Sequence, residues 1–429
     1  MNASEVILER IKPVEQMLSV KEGLAQMFRQ CFMNTLDTTW QNEPDGTSFV
    51  ITGDIPAMWL RDSTAQVMHY VRFAGDQAVR DMLKGLIRRQ LGYVLKDPYA
   101  NAFNRTDSGA GFGEDKPARS PWVWERKYEI DSLCHPVQLA HAYYNQCGSL
   151  DFLDDQGMKA METIVSVFEQ EQHHWDSPYW FIRTNCPPSD TLPYEGKGNP
   201  VSYTGMTWSG FRPSDDACMY GYLIPANLFA VITLKRIAEM VGNRGQMALS
   251  ERATILAAQI QQGIDRYGHV NHPEFGDIYA YEVDGRGNAL LMDDANVPSL
   301  LALPYMGVCE RGDATYLRTR KFVLSQANPY YYEGTQARGV GSPHTPKGYV
   351  WHIALAVQAM TSDDLDEITG LVRMLLNTNA GTGFMHEGFD PNDPSRFTRP
   401  WFAWANSMFG ETIYSLYERG LLDEVLRRL

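Results

Sequence analysis

Residues Gly53-Asp-Ile-Pro-Ala-Met-Trp-Leu-Arg-Asp-Ser63, followed by the amphipathic run 63–95, set the pattern that decides the fold. A turn-forming stretch carrying Trp, Arg and Asp gives way to apolar residues at helical spacing. The same alternation recurs down the chain. Helical periodicity marks 14–37, 63–95, 130–146, 157–171, 216–241, 247–265, 313–326, 350–360, 363–376 and 405–428, with few alternating β-type runs. Between them lie loops 97–127, 173–214, 268–296, 328–349 and 379–404, rich in Gly, Pro, Trp and acidic residues. Loops this long inside a compact domain usually carry function.

No composition shift, low-complexity linker, charge block or short-period repeat divides the chain, so residues 1–429 read as a single domain. Helices in hairpin succession, with every second connection long and aromatic, predict an all-α (α/α)6 barrel with long loops forming the active-site end. A plain helical bundle or an α-solenoid is the alternative, because periodicity does not fix the order of helices in space.

With 44% hydrophobic residues the chain can bury a large core. A net charge of −14 argues against nucleic acid and against an anionic membrane surface, both of which need clustered Lys and Arg. No stretch approaches the length of a membrane span. The N-terminal MNASEVILERIKPVEQML has charges where a signal peptide has its apolar region, and the expectation is a cytoplasmic protein. Cys31, Cys134, Cys147, Cys186, Cys218 and Cys309 are scattered without CxxC or Cys/His spacing, which disfavours a zinc site or redox motif. No cofactor and no metal are expected. Asp293-Asp294 with Asn296 is the single acidic cluster resembling an oxygen cage. The sequence leaves the oligomeric state open.

Within the opening stretch, Trp59 offers a flat apolar face for the C–H side of a pyranose, while Arg61 and Asp62 can share its hydroxyls. The competing reading is an ordinary ion pair at a helix N-terminus. A second cluster is Thr207-Trp-Ser-Gly-Phe-Arg-Pro-Ser-Asp-Asp-Ala217, in which Ser214 is an N-cap candidate for a helix starting near Asp215. Asp215 and Asp216 would then diverge by about 100° on the helix, so that one of the two faces a cleft. A third, Gly381-Thr-Gly-Phe-Met-His-Glu-Gly-Phe-Asp-Pro391, sets His386 and Glu387 in a Gly-punctuated loop, where the plainer reading of Glu387 is an exposed turn acid. Glu129, Asp131, Arg212, His344, His352, Trp404 and Asn406 are further candidates for binding substrate, embedded in aromatic or Gly/Pro surroundings.

Many carboxylates, few cations and many aromatics on long loops match glycoside cleavage. One acid protonates the leaving oxygen, and a second carboxylate attacks the anomeric carbon or activates water. The chain has no GxSxG, P-loop, HExxH or dinucleotide fingerprint. An epimerase using His344 and His352 as a pair is the enzymatic alternative, and a non-catalytic glycan-binding protein the alternative of another class.

At these residues the chain resembles glycoside hydrolase family 125, the exo-α-1,6-mannosidases, over nearly its whole length. The resemblance is carried by Asp54-Ile-Pro-Ala-Met-Trp-Leu-Arg-Asp-Ser63, Lys127-Tyr-Glu-Ile-Asp-Ser-Leu133, Trp208-Ser-Gly-Phe-Arg-Pro-Ser-Asp-Asp216, Gly341-Ser-Pro-His-Thr345 and His386-Glu-Gly-Phe389. It implies an (α/α)6 barrel and metal-independent hydrolysis of terminal α-1,6-linked mannose with inversion, on a mannose-containing oligosaccharide. It places the general acid in the Asp215–Asp216 pair, with Asp215 preferred, the general base at Glu387, and mannose hydroxyls on Arg61 and Asp62. The acid is expected to have apolar neighbours and a nearby negative charge that raise its pKa, His386 or a backbone N–H to support Glu387, and loops 97–127 and 173–214 to wall the pocket.

Overall fold

The computed structural model describes residues 1–429. Its helices are α1 (Ala3–Leu18), α2 (Leu24–Phe32), α3 (Leu60–Ala65), α4 (Gln77–Lys96), α5 (Ile130–Cys147), α6 (Asp155–Glu171), α7 (Ile224–Asn243), α8 (Met247–Tyr267), α9 (Ala314–Val323), α10 (His352–Met360), α11 (Leu365–Asn377), α12 (Ala403–Glu418) and α13 (Leu422–Arg428). No helix is long and apolar enough to cross a membrane.

Two kinds of helix alternate. Helices α7, α10 and α12 bury residues on every side, whereas α4, α6, α8 and α11 keep one apolar stripe and one wet face. The first kind belongs inside a ring and the second outside it. Packing follows that division: α5 lies between α3 and α7, α12 between α10 and α3, while α4, α8 and α11 back onto α5, α7 and α10. The sixth inner position is filled by a turn segment rather than a helix. Between Pro298 and Gly307 the backbone makes isolated turns, and two prolines, Pro298 and Pro304, forbid a continuous ladder. The segment still closes the ring: Val297 O faces His135 on α5, Met306 O accepts from Arg236 on α7, and Tyr305 Oη donates to Glu411 on α12. The architecture is the all-α (α/α)6 barrel.

Some expected helices break. The run 63–95 divides into α3, a 3-10 turn at Met68–Phe73, and α4, because Gly75-Asp76 allows a reversal and Asp76 caps α4 by accepting from Ala78 N–H. The run 14–37 is α1 and α2, separated at Gly23, whose φ of 73° is left-handed. The N-terminal part of α1 extends back to a capping box of Asn2 and Glu5. The helix expected near Asp215 begins only at Ile224, with Pro225 in its first turn. Ser214 therefore caps nothing.

Short strands, absent from the periodicity, decide where the loops go. Met58–Trp59, Tyr222–Leu223 and Val350–Trp351 each run directly into an inner helix, α3, α7 or α10, and each pairs with a loop strand. Trp59 pairs with Ala102, Leu223 with Glu282 and Trp351 with Gly388. The N-terminal ends of these helices are thereby gathered with the aromatic loops at one mouth. Gly53 joins the last inner helix to the first. It bridges Phe402, Asp54 N–H donates to Trp401 O, and Ala403 N–H to Thr52 O. A Cβ on Gly53 would sit 2.3 Å from Trp401 O, at a φ of 133° that side chains avoid. Replacing Gly53 by Ala is expected to cost roughly 2 kcal/mol or more of folding stability, measured by urea denaturation.

Candidate active site

At the mouth lies a cavity of about 430 Å³, a size suited to a small-molecule or sugar site. Its walls include Phe112 and Glu125 from loop 97–127 and Arg183 and Asp190 from loop 173–214, so both expected wall loops reach it.

The floor is organised by Arg61, on the first turn of α3. Its guanidinium lies 2.6 Å from Glu129, 3.1 Å from Asp131, 3.5 Å from Asp62 and 3.6 Å from Asp215, with the ring of Trp404 at 5.9 Å. Arg61, Asp62 and Trp404 line the cavity; Glu129 and Asp131 stand behind them with fully buried side chains. Those two were expected to touch substrate. Instead they hold Arg61, because the N-terminus of α5 packs under α3.

Asp215 enters the cavity from a loop, at a left-handed φ of 68°. The turn is held by Arg212 N–H to Asp216 O and Asp215 N–H to Arg212 O, and by Lys127 Nζ, which donates to Asp215 O at 2.7 Å. Arg212 lies outside the cavity lining. Its guanidinium meets Glu282 at 2.5 Å, and Glu282 also accepts Met219 and Tyr220 N–H, so this buried pair anchors the loop instead of binding substrate. The Asp215 carboxylate accepts from Asn101 Nδ2 at 2.9 Å and faces Trp59 Nε1 at 3.4 Å.

The structure separates the two adjacent acids. Asp216 turns away from the cavity toward His344 Nδ1 at 3.3 Å. Burial alone would lower the His344 pKa, but Asp216, Glu387 and Asp215 raise it to about 9. The surroundings of Asp215 differ from those expected of an acid in an apolar niche. Burial pushes its carboxyl up, but Arg61, a hydrogen bond with Glu129, Lys127 and His344 outweigh burial and hold it well below the usual carboxylate range. In Asp62 burial prevails over Arg61 and Arg399, and its pKa rises to about 6.

Glu387 also lines the cavity, beside Gly388, which pairs with Trp351. Thr398 Oγ1 donates to Glu387 Oε2 at 3.0 Å, and Arg399 Nη1 is 3.8 Å from Oε1. His386 gives that carboxylate nothing: its ring stacks on Phe397 and its Nδ1 faces Arg399 O. His352 is also away from the cavity. It meets the backbone of His386 at 2.9 Å and Thr378 Oγ1 at 3.0 Å, stacks on Phe389, and burial lowers its pKa to about 3. Asn406 accepts Met385 N–H at 2.8 Å behind the same loop. Both position the Glu387 segment rather than sugar, so His344 and His352 form no pair across the cavity.

Sequence reasoning missed Asn101, Lys127, Thr398, Arg399, Asn296, Trp351 and Phe402 as site residues. Lys127 opens the string Lys127–Leu133, and Arg399 and Phe402 lie in the loop 379–404; Asn101 carries no local signal, its place being set by the pairing of Ala102 with Trp59. Asp293 is committed elsewhere, accepting Leu300 and Leu301 N–H at 2.8 and 2.9 Å. No group of three or more His, Cys, Asp or Glu residues is arranged to hold a metal ion.

An (α/α)6 barrel whose polar, aromatic-walled cavity is lined by five carboxylates has the make-up of a glycoside hydrolase. The sequence pattern of the family described as metal-independent α-mannosidase, GH125, matches residues 21–414, and the chain belongs to that family. It is 43% identical to a Streptococcus pneumoniae metal-independent α-mannosidase, solved as a non-productive complex with α-1,6-mannobiose. That alignment covers 96% of this chain and 98% of that one, with a TM-score of 0.95. A Schizosaccharomyces pombe protein, the meiotically up-regulated gene 157 protein, is 41% identical, covering 97% of this chain and 86% of its own length. A Saccharomycopsis fibuligera glucoamylase shares the fold at 12% identity, with a TM-score of 0.61 over 95% of this chain and 96% of that one.

The His344–Asp216 pair sets a pH signature. Because folding raises the His344 pKa from 6.5 to about 9, the stabilisation is complete below about 6.5 and is lost as pH climbs to about 9. The melting-temperature gap between wild type and Asp216→Asn is therefore expected to be widest near pH 6 and to close toward pH 9, as followed by thermal denaturation.

Proposed function

We propose that this α-mannosidase is exo-acting, removes terminal non-reducing α-1,6-linked mannose from mannose-containing oligosaccharides, and inverts the anomeric configuration. The observation that carries the reading is that Asp215 and Glu387 line one cavity together with Arg61 and Asp62. The S. pneumoniae relative, which holds α-1,6-mannobiose, supports the linkage.

In this reading Asp215 protonates the glycosidic oxygen as the C1–O bond breaks, and Glu387 takes a proton from the water that attacks C1 from the opposite face. Thr398 and Arg399 fix Glu387 for that water. Arg61, Asp62 and His344 hold hydroxyls, while Trp59 and Trp404 supply apolar faces. An inverting pair stands roughly 6.5–9.5 Å apart to admit the water. Exo action suits a cavity of about 430 Å³ walled by loops 97–127 and 173–214. An epimerase would need a second histidine in the cavity, and His352 is engaged behind it.

Proton NMR of the protein with α-1,6-mannobiose and its α-1,2 and α-1,3 isomers tests the proposal. β-Mannose is expected as the first product, from the 1,6 isomer alone; initial α-mannose would overturn inversion. Replacing Glu387 by Gln is expected to lower kcat by about 10³-fold or more while mannobiose binding, followed by calorimetry, persists.

A further inference from the structure

One cation serves too many acids at the base of the cavity. Asp62, Glu129, Asp131 and Asp215 all face the Arg61 guanidinium within 3.6 Å. The side chains of Glu129 and Asp131 have no exposure to water, and that of Asp62 only 6%. Four like charges this close, all but the 23%-exposed Asp215 on dry side chains, are not all ionised. The other cations are engaged: Lys127 with Asp190 and the Asp215 carbonyl, His344 with Asp216, and Arg399 with Asp54. At least one proton therefore resides inside the cluster.

Two of the four carboxyls are built to share it. Asn101 Nδ2 reaches both, 2.9 Å from Asp215 Oδ1 and 3.4 Å from Glu129 Oε1, as well as Glu125 Oε2 at 3.0 Å, and both carboxyls face the Arg61 guanidinium, at 3.6 and 2.6 Å. Their environments pull in opposite directions. Burial, the largest influence on Glu129, raises it well above the carboxylate range; Arg61 opposes this, and Asp215 and Asp131 add to it. Cys218, also beside Glu129, is an un-ionised buried thiol. Asp215 has the amide of Asn101 and the cations Arg61, Lys127 and His344, and it is the member that reaches the cavity.

We propose that Glu129 and Asp215 hold one proton between them and act as a single acid, with Glu129 the buried positioning residue that keeps a proton available to Asp215. The inference rests on Asp215 being the acid of the reaction proposed above. In the step, the C1–O electron pair goes to the glycosidic oxygen, and the one shared proton passes from Glu129 to Asp215 and on to that oxygen. Water bonds C1 and gives its proton to Glu387. The pair is then fully ionised and Glu387 protonated, and transfer of that proton to the pair through solvent restores the enzyme. The arrangement explains how an acid surrounded by cations still delivers a proton at neutral pH: the second carboxylate repels the doubly ionised state and draws a proton back.

The test compares α-1,6-mannobiose, whose alcohol needs protonation to leave, with α-mannosyl fluoride, whose fluoride leaves with little help. In Glu129→Gln, kcat on mannobiose is expected to fall about 10²-fold or more, while the fluoride rate changes by less than about tenfold. The alkaline limb of the mannobiose kcat/KM profile should move to lower pH. Equal losses on the two substrates, or no loss on mannobiose, would overturn the shared proton. Asp215→Asn serves as the reference: if it keeps mannobiose activity, the assignment of Asp215 as acid fails, whatever Glu129 does. If it behaves as an acid mutant and Glu129→Gln does not, the shared proton alone fails. Should Glu129→Gln not fold, Ser132→Ala removes one donor, 2.8 Å from Glu129 Oε2, and is expected to shift the alkaline limb upward on mannobiose. An unshifted limb would overturn the proposal.

Discussion

The buried guanidinium of Arg61 is the contact on which the mouth of the barrel depends. It ties α3 to α5 through Glu129 and Asp131, and it faces Asp62 and Asp215 at the cavity. A lone buried charge of either sign would be costly, and removing one partner of such a cluster typically costs about 3–5 kcal/mol. The cluster is therefore a poor contributor to net stability and a strong constraint on geometry. Any arrangement that separates α3, α5 and the Asp215 loop leaves a dry charge without a partner. The same cluster supplies the electrostatics of the site, so structure and chemistry share one set of atoms.

Around that centre the barrel contributes direction. Inner helices α3, α5, α10 and α12 bring their first turns to the mouth, with Arg61, Asp131, His352 and Trp404 among the residues there. Their aligned N-terminal dipoles favour negative charge, consistent with a site lined by Asp62, Glu125, Asp190, Asp215 and Glu387. Two-residue strands lock the loops to those helix ends. A backbone pairing such as Trp351 with Gly388 places Glu387 more firmly than a free loop would, since each strand residue is fixed by ladder hydrogen bonds. His352, Asn406 and Arg212 complete the support from behind, each satisfying backbone groups of a loop that carries a carboxylate or its neighbour.

The residue that stands furthest from expectation is Asp215. The acid role proposed for it calls for a proton, whereas its neighbours favour charge. The proton proposed to be shared with Glu129 reconciles the two, because proton affinity then belongs to the pair. His344 is held as an imidazolium by Asp216, so the second acid of the Asp-Asp dipeptide serves the site through a different partner. Adjacent residues take separate roles because a left-handed turn, and not a helix, carries them.

How much was legible follows from the range of the forces involved. Helical periodicity is local, and α5, α6, α8 and α11 lie where the apolar spacing places them. The breaks at Gly23 and Gly75-Asp76 and the late start of α7 were hidden because the apolar period runs on across them. The strings holding Arg61, Asp215 and Glu387 announce themselves by unusual density of Trp, Gly and acids. The sequence by itself determined the α-rich pattern, the acidic aromatic loops and the residue types of the chemistry. Tertiary structure alone decided that Asp215 enters the cavity and Asp216 does not, that His352 and Asn406 serve from behind, and that Asn101 belongs to the site. Those outcomes depend on pairings between residues far apart in the chain, such as Asn101 with Asp215, separated by 114 positions, which no local pattern encodes.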